Sequence, residues 1–246
     1  MEYTANGVIT LSSASKTRLS SDVSFISPSK AEVTLSSKSD EELSVLVKLE
    51  AGDDTSATEL AQLELSRICN VLSFYRNIGV SKSGISGMSC ISTSKGHTDV
   101  SSMATVGLTA IGEKTVTLGE RSLSKLVSCL RQDYSDDFEE VIDIWREALS
   151  RESSVERFFS LYRLMELLFN RNVQNMEEWI KRQDTSVQLV AANEFRRYEH
   201  TVYTFLRDNV HPKKERKNLP IQEIQVSLGK FQTLVQQRIK EKYNIQ

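Results

Sequence analysis

The sequence predicts an α+β domain over residues 1–130, followed by an all-α, up-and-down helical bundle over residues 136–246. The chain has 246 residues, which is long enough for two domains. The first half is rich in Ser, Thr, Gly and Val, and its apolar residues often alternate, which is typical of short strands. Between Phe138 and Gly229 there is no glycine, and apolar residues recur at helical spacing.

The first domain is predicted to contain short strands and one long helix. The strands are runs of β-branched or alternating apolar residues at 7–12, 31–35, 43–49 and 115–118. The helix covers about 56–78, and Gly79 stands where a C-terminal stop belongs. Its apolar face consists of Leu60, Leu63, Ile68, Val71, Leu72 and Tyr75. The Ser- and Gly-rich segment 81–102 fits either a strand pair around 88–91 or a loop, and both interpretations remain open.

The second domain is predicted to contain four amphipathic helices joined by short connections, which is the pattern of an up-and-down bundle. These helices cover 138–149, 155–169, 185–210 and 221–243, with one or two further turns over 176–181. Ser153 is the expected N-cap of the second helix, and Pro212 ends the third. Acidic pairs at 136–137, 139–140 and 177–178 are interpreted as first-turn acids of helices.

The bulk composition excludes several classes of protein. A net charge of -2 and a pI near 6.0 argue against a chain that coats nucleic acid or membrane with its whole surface. The sequence has neither an apolar run of membrane-spanning length nor a leader, so we expect a cytoplasmic protein with no membrane partner. Cys69, Cys90 and Cys129 lack zinc-ligand spacing and are expected to be buried, reduced thiols. We expect neither a metal nor a cofactor, because no ligand cluster or phosphate loop is present.

A polar stripe on the third predicted helix carries the candidate chemistry. On a helical wheel, Arg196, His200, Arg207 and His211 lie on the side opposite the apolar residues. Histidine exchanges a proton near neutral pH, and the planar guanidinium of arginine fits phosphate oxygens. The spacing of four places Arg207 and His211 one turn apart, so the two side chains can address one phosphodiester.

A basic loop follows this stripe and can attract a polyanion locally. The predicted RNA-binding residues are Arg196, His200, Lys213, Lys214, Arg216 and Lys217. An Arg–His pair four residues apart on an outward helix face is often just part of a solvated surface. A histidine near a helix C-terminus also interacts favourably with the helix dipole without any catalytic role. The helical wheel leaves both interpretations open.

Two segments resemble motifs of the HEPN family (higher eukaryotes and prokaryotes nucleotide-binding domain). Arg157-Phe-Phe-Ser-Leu-Tyr-Arg-Leu-Met-Glu-Leu-Leu168 is similar to the second-helix pattern of the branch found in bacterial defence proteins. Leu206-Arg-Asp-Asn-Val-His211 resembles the family motif of arginine, polar residue, short spacer and histidine. A long final helix after a loop extends the likeness to about 110 residues. The preceding half is similar to N-terminal regions of methylamine-utilisation accessory-like proteins.

The resemblance implies a metal-independent endoribonuclease that acts in antiviral defence or as a toxin-like effector. In such enzymes the ribose 2′-hydroxyl attacks the adjacent phosphate. Carried over, His211 is the general acid and base, and Arg207 stabilises the charged phosphorane. Asp208 is the polar residue beside Arg207, and Glu166 orients the site. The family usually builds this site across a dimer, so the implied partners are RNA and a second copy of the chain.

The motif departs from the family pattern in its length. The family places four to six residues between the arginine and the histidine, whereas only Asp208, Asn209 and Val210 intervene here. Because many family members have lost catalysis, the alternative is an inactive HEPN-like interaction or dimerisation subunit of a larger complex. Its N-terminal domain would contact a protein partner. Ligand sensing in the helical groove is a third hypothesis.

Overall fold

The computed structural model describes residues 1–11, 17–77, 79–91, 116–192, 198–209 and 221–245. The chain divides into two compact units, Met1–Ser150 and Arg151–Gln246, which we call unit 1 and unit 2. Unit 1 contains an antiparallel sheet and unit 2 is mainly helical, which confirms the predicted order of a β-rich region before a helical one. Among the described residues, no helix has both the length and the apolarity needed to cross a bilayer.

The first five described strands of unit 1 alternate between buried and more exposed residues. In chain order they are β1 (Glu2–Leu11), β2 (Thr17–Leu19), β3 (Val23–Ile26), β4 (Glu32–Ser37), β5 (Glu42–Glu50), β6 (Val80–Ile91) and β7 (Val116–Leu118). Five of them form an antiparallel sheet in the order β3-β4-β5-β1-β6, and β2 pairs in parallel with β7. Leu43, Val45 and Val47 of β5 are buried, whereas the residues between them are partly exposed. One face of the sheet therefore supplies the core.

The predicted strands at 31–35 and 43–49 are confirmed by β4 and β5. The strand predicted at 7–12 is the second half of the longer β1, and the described part of the one predicted at 115–118 is β7. The open segment 81–102 is a strand in its described part, because β6 extends to Ile91 and pairs along β1. The remainder of that segment lies outside the described residues.

The long helix of unit 1, α1 (Asp54–Arg76), has a side-chain cap at its start and a left-handed residue at its end. Asp53 accepts a hydrogen bond from the Ser56 backbone N–H (2.8 Å), which satisfies a donor at the helix start. The predicted stop at Gly79 is wrong. Asn77 ends the helix with a left-handed backbone (φ 53°), which asparagine tolerates better than most residues.

Small residues occupy part of the face of α1 that meets the sheet. Ala57, Ala61 and Leu65 are buried, whereas Leu63, which was predicted to lie on the apolar face, is 66% exposed. Gly7 of β1 lies below Leu65, and a Cβ added there would stand only 3.3 Å from Leu65 Cδ1. The helix and the sheet therefore approach closely because alanine and glycine occupy the contact.

Two further helices complete unit 1, namely α2 (Glu120–Leu130) and α3 (Asp136–Ser150). The sequence prediction missed α2. Its buried residues Leu123, Leu126 and Leu130 do have helical spacing, but they follow directly on the strand-like residues of β7.

Helix α3 belongs to unit 1 because its aromatic face packs on α1. The Phe74 ring lies 5.7 Å from the Phe138 ring and 6.0 Å from the Trp145 ring. The indole N–H of Trp145 donates to the Ser73 carbonyl oxygen (3.1 Å). The division between the units therefore falls after α3, and not between residues 130 and 136 as the sequence predicts.

The described part of unit 2 consists of four helices and one short strand pair. These are α4 (Ser154–Leu168), α5 (Val173–Gln183), β8 (Leu189–Val190), β9 (His200–Thr201), α6 (Val202–Asn209) and α7 (Ile221–Tyr243). The core centres on Phe231 of α7, whose ring lies 5.2 Å from Phe158, 5.9 Å from Tyr162 and 4.6 Å from Tyr203. Helices α4 and α7 and the N-cap Ser153 confirm the predictions for these segments.

The predicted third helix over 185–210 is wrong for most of its described residues. The described residues before α6 include the β8–β9 pair, and the Val202 N–H extends this pairing by donating to the Gln188 carbonyl oxygen (2.9 Å). Among the residues of this region that the structure describes, 185–192 and 198–209, only those of α6 are helical. Several β-branched residues, which favour extended backbone, explain the difference, namely Thr185, Val187, Val190 and Thr201. Unit 2 is therefore mainly helical rather than all-α.

Candidate functional site

Three predicted site residues meet where the last turns of α4 and α6 come together. Arg207 Nη2 donates to Glu166 Oε1 on α4 (2.9 Å), and Arg207 Nη1 donates to Asp208 Oδ1 (2.9 Å). The Arg207 side chain is 32% exposed, so it lies at the surface with its guanidinium oriented by two carboxylates. The structure thus brings Glu166, Arg207 and Asp208 together.

The ring of Tyr162 on α4 packs against the guanidinium of Arg207. Arg207 Cζ lies 5.5 Å from the centroid of the Tyr162 ring, which is within cation–π range. Burial alone would lower the pKa of Arg207, but the hydrogen bond to Asp208 and the negative charge of Glu166 outweigh it and raise that pKa. One cation with two carboxylates gives this cluster a net formal charge of -1.

The other predicted site residues are placed differently. The prediction that His200 lies on an outward helix face is wrong, because His200 belongs to β9 and is only 1% exposed. Its Nδ1 lies 3.3 Å from the Tyr198 carbonyl oxygen, and a side chain buried in this way does not present itself to RNA. The predicted residues outside the described part of the chain are Arg196, His211, Lys213, Lys214, Arg216 and Lys217. The pairing of Arg207 with His211 therefore stays a prediction.

A buried polar network adjoins this cluster through Tyr162. The Thr201 N–H donates to Glu177 Oε2 (2.6 Å), and the Thr201 hydroxyl donates to Glu177 Oε1 (3.0 Å). The Thr204 hydroxyl also contacts Glu177 Oε1, and the Tyr162 hydroxyl lies 2.8 Å from Thr204 Oγ1. All four side chains are buried. The interpretation of Glu177 as a first-turn acid is wrong, because α5 begins at Val173.

Sequence reasoning did not identify Tyr162, Thr204 or Glu177 as part of the site. Helical spacing carries a weak signal for two of them, since Tyr162 shares a face with Glu166 and Thr204 shares one with Arg207. The contribution of Glu177 depends on how α5 packs near the start of α6, which no local pattern encodes.

A second buried carboxylate of unit 2 has a basic partner. Asp184 is 7% exposed, and its Oδ2 lies 2.8 Å from Lys230 Nζ on α7. Its Oδ1 accepts hydrogen bonds from the Ser186 N–H (3.0 Å) and the Ser186 hydroxyl (2.8 Å). Burial acts to raise the pKa of Asp184, but the hydrogen bonds from Lys230 and Ser186 outweigh it and lower that pKa. This pair connects the end of α5 to α7 and has a structural role.

The predicted site residues all have numbers above 150 and therefore lie outside unit 1. Cys69 is fully buried, and burial raises the pKa of its thiol to about 11, which keeps it protonated; Cys90 and Cys129 are only partly buried. In the parts of both units that the structure describes, no three His, Cys, Asp or Glu side chains are grouped closely enough to hold a metal ion.

A cleft of about 510 Å³ in unit 1 is lined by residues of both charges, namely Glu2, Ser29, Lys30, Ala31, Glu32, Lys48, Leu49, Glu50 and Leu60.

Comparison of the chain with protein-family models, with curated proteins and with solved structures finds no match. The candidate site is therefore interpreted from its own residues and their geometry.

Proposed function

We propose that the chain is a cytoplasmic, metal-independent endoribonuclease of the HEPN type, with Arg207 and His211 at its centre, and that it serves as an antiviral defence or toxin-like effector. The observation that supports this most directly is the contact of Arg207 with Glu166, 41 positions away in the sequence. The HEPN resemblance assigns both residues, together with Asp208, to one site.

In the proposed reaction, the ribose 2′-oxygen forms a bond to the adjacent phosphorus while the bond from phosphorus to the 5′-oxygen breaks. His211 removes the proton of the 2′-hydroxyl, and the protonated His211 gives a proton to the departing 5′-oxygen. Arg207 stabilises the negative charge that builds up on the phosphorane oxygens. The products carry a 2′,3′-cyclic phosphate and a 5′-hydroxyl. A second copy of the chain completes the site in this proposal.

The carboxylates beside Arg207 have a defined part in this scheme. A guanidinium has five N–H donors, and two of those on Arg207 contact Glu166 and Asp208. These two contacts orient the planar group, and the exposed part of Arg207 can approach a phosphate. Because both carboxylates are negative, binding of a phosphate requires that at least one of them moves or that basic residues of the 213–217 segment compensate.

The test uses the purified full-length chain with a mixture of labelled RNAs in the presence of EDTA. Wild type is expected to cut RNA and to leave 2′,3′-cyclic phosphate ends. Arg207→Ala and His211→Ala are each expected to lower the cleavage rate roughly 100-fold or more, since proton transfer and charge stabilisation each contribute on that order.

Arg163→Ala and His97→Ala are the matched controls, because they remove the same residue types from positions not assigned to the site. Arg163 is exposed on α4. Both controls are expected to cut at the wild-type rate and to share its circular dichroism spectrum. Cleavage that survives both Arg207→Ala and His211→Ala would remove the assignment.

The second candidate is the inactive HEPN-like subunit, which dimerises and contacts a protein partner through its N-terminal domain. It is favoured by the net charge of -1 around Arg207, since a guanidinium already paired with two carboxylates is typical of a structural ion-pair network. It predicts a dimer by light scattering and no cleavage of any RNA.

Glu166→Gln separates the two candidates. If Arg207 acts on phosphate and Glu166 orients it, the variant is expected to cut RNA more slowly while keeping its stability. If the cluster is only structural, the variant is expected to lose stability or dimer affinity, and wild type will show no cleavage to lose.

A further inference from the structure

We propose that Glu177 is a positioning residue for Arg207, acting on it through Thr204 and Tyr162. The catalytic role of Arg207 rests on the proposed function. The contacts that connect Glu177 to Arg207 through Thr204 and Tyr162 are present in the structure. The proposal assigns a role to a buried carboxylate that does not contact Arg207 directly.

Glu177 holds the start of α6. It accepts the backbone N–H of Thr201 (2.6 Å) and the Thr201 hydroxyl (3.0 Å), and Thr201 directly precedes the first residue of α6. A negative charge is favourable at this end of a helix, because the first N–H groups lack partners within the helix. The carboxylate therefore acts as a cap supplied by α5.

Thr204 passes this constraint to α4. Its hydroxyl proton is directed at Glu177 Oε1, so its oxygen is free to accept the proton of the Tyr162 hydroxyl (2.8 Å). Burial raises the pKa of Tyr162 above the usual range, which keeps the phenol protonated and able to donate at neutral pH. The direction of both hydrogen bonds is thus determined by the carboxylate.

Tyr162 and Glu166 then fix Arg207. The Tyr162 ring lies 5.5 Å from Arg207 Cζ, and Glu166, one turn further along α4, accepts from Arg207 Nη2 (2.9 Å). Arg207 in turn lies one turn after Thr204 on α6. Both helices therefore present a residue of the Glu177 network and a residue of the Arg207 cluster on the same face. A displacement of α6 by about 1 Å would misplace the guanidinium, which is enough to slow a reaction roughly 100-fold.

The experiment compares Glu177→Gln and Thr204→Val with wild type in two measurements. The first is the Nε–Hε signal of Arg207 in ¹⁵N NMR spectra of the full chain, identified by its loss in Arg207→Lys. Both variants are expected to move this signal toward that of the exposed Arg163 and to speed its exchange with solvent. The second is RNA cleavage, in which kcat is expected to fall about 10-fold with KM changed less than twofold.

Thr233→Val is the matched control, because Thr233 is exposed and its hydroxyl donates within α7, to the Gly229 carbonyl oxygen (3.0 Å). It is expected to leave the Arg207 signal and kcat unchanged. If Glu177→Gln fails to fold, Thr204→Val decides the matter alone, since it keeps the Thr201 contacts.

The outcomes of the two proposals are distinguishable. An unmoved Arg207 signal in a folded Thr204→Val variant overturns the role of Glu177, whether or not RNA is cut. If wild type cuts no RNA but the Arg207 signal moves as expected in the two variants, the ribonuclease proposal is overturned. Glu177 then remains the residue that positions Arg207.

Discussion

Two buried glutamates, one in each unit, satisfy their carboxylates very differently. Glu177 in unit 2 is 2% exposed, and both of its oxygens accept hydrogen bonds. Glu64 in unit 1 is 4% exposed, and its Oε1 accepts from the Ser29 hydroxyl (2.5 Å), but no described residue donates to its Oε2. Burial alone therefore does not show how much a carboxylate contributes to stability. That contribution depends on the number of buried donors that the carboxylate binds.

The donors also differ in what they could bind instead. Thr201 and Thr204 are fully buried, so without Glu177 two hydroxyls and one N–H lose their partner away from water. Ser29 is exposed and can donate to water if Glu64 is absent. The comparison predicts effects of opposite sign for the removal of the two carboxylates.

The largest effect is expected for Glu177→Leu. Three buried donors lose their acceptor, so the free energy of unfolding of unit 2 should fall by about 3 kcal/mol or more. Urea unfolding followed by the fluorescence of Trp179, which lies in unit 2, measures this in a Trp145→Phe background. A loss below about 1 kcal/mol would mean that the network contributes little.

Asp184→Asn is expected to have a smaller effect that depends on pH. The folded-state pKa of Asp184 is lowered, so its stabilisation is present above the unfolded value of about 3.9 and is lost as the pH falls through the folded pKa. At pH 7 the variant should be less stable by about 1 to 2 kcal/mol. The difference between wild type and variant should shrink below about pH 4; a difference that is constant with pH contradicts the ionic contribution.

Glu64→Met is expected to leave unit 1 as stable as before or to stabilise it by about 1 kcal/mol, because a half-satisfied carboxylate is replaced by an apolar side chain of similar volume. The fluorescence of Trp145 in a Trp179→Phe background reports on unit 1. Glu59→Met, at an exposed position of α1, is the matched control. A clear destabilisation by Glu64→Met alone would show that Glu64 has a partner that the contacts above do not include.

The smallest effect is expected for Lys48→Ala, which removes an exposed ion pair with Glu32 (3.4 Å). Both side chains are largely solvated, so the free energy of unfolding should change by no more than about 0.5 kcal/mol. The difference should be smaller in high salt than in low salt, because salt screens an exposed ion pair. This variant sets the baseline against which the buried carboxylates are judged.

The elements with strong periodicity could be predicted from the sequence. Helix α7 has apolar residues at helical spacing throughout, and α4 has the additional start signal of Ser153. The helix prediction for 185–210 was too long at its start. The helical spacing of Val202 and Leu206 extends to earlier positions, although several residues there are β-branched. There the pairing of β8 with β9 outweighs local periodicity.

The candidate site was predictable only in part. The HEPN resemblance grouped Glu166, Arg207 and Asp208, which do meet, whereas the helical wheel placed His200 on a surface where it does not lie. Glu177 was not predictable, since its three acceptor contacts form only after α5, β9 and α6 have packed.

Strand β1 lies inside the sheet, between β5 and β6, and this position affects how the protein folds during synthesis. Its two neighbours, β5 and β6, end at Glu50 and Ile91. The backbone N–H and C=O groups of β1 therefore have all their partners only after both of these strands have been synthesised. At translation rates of roughly 5 to 20 residues per second, synthesis from the end of β1 to the end of β6 takes several seconds. During this interval a strand of alternating apolar residues is open to chaperones, and rare codons placed between β5 and β6 should increase its capture.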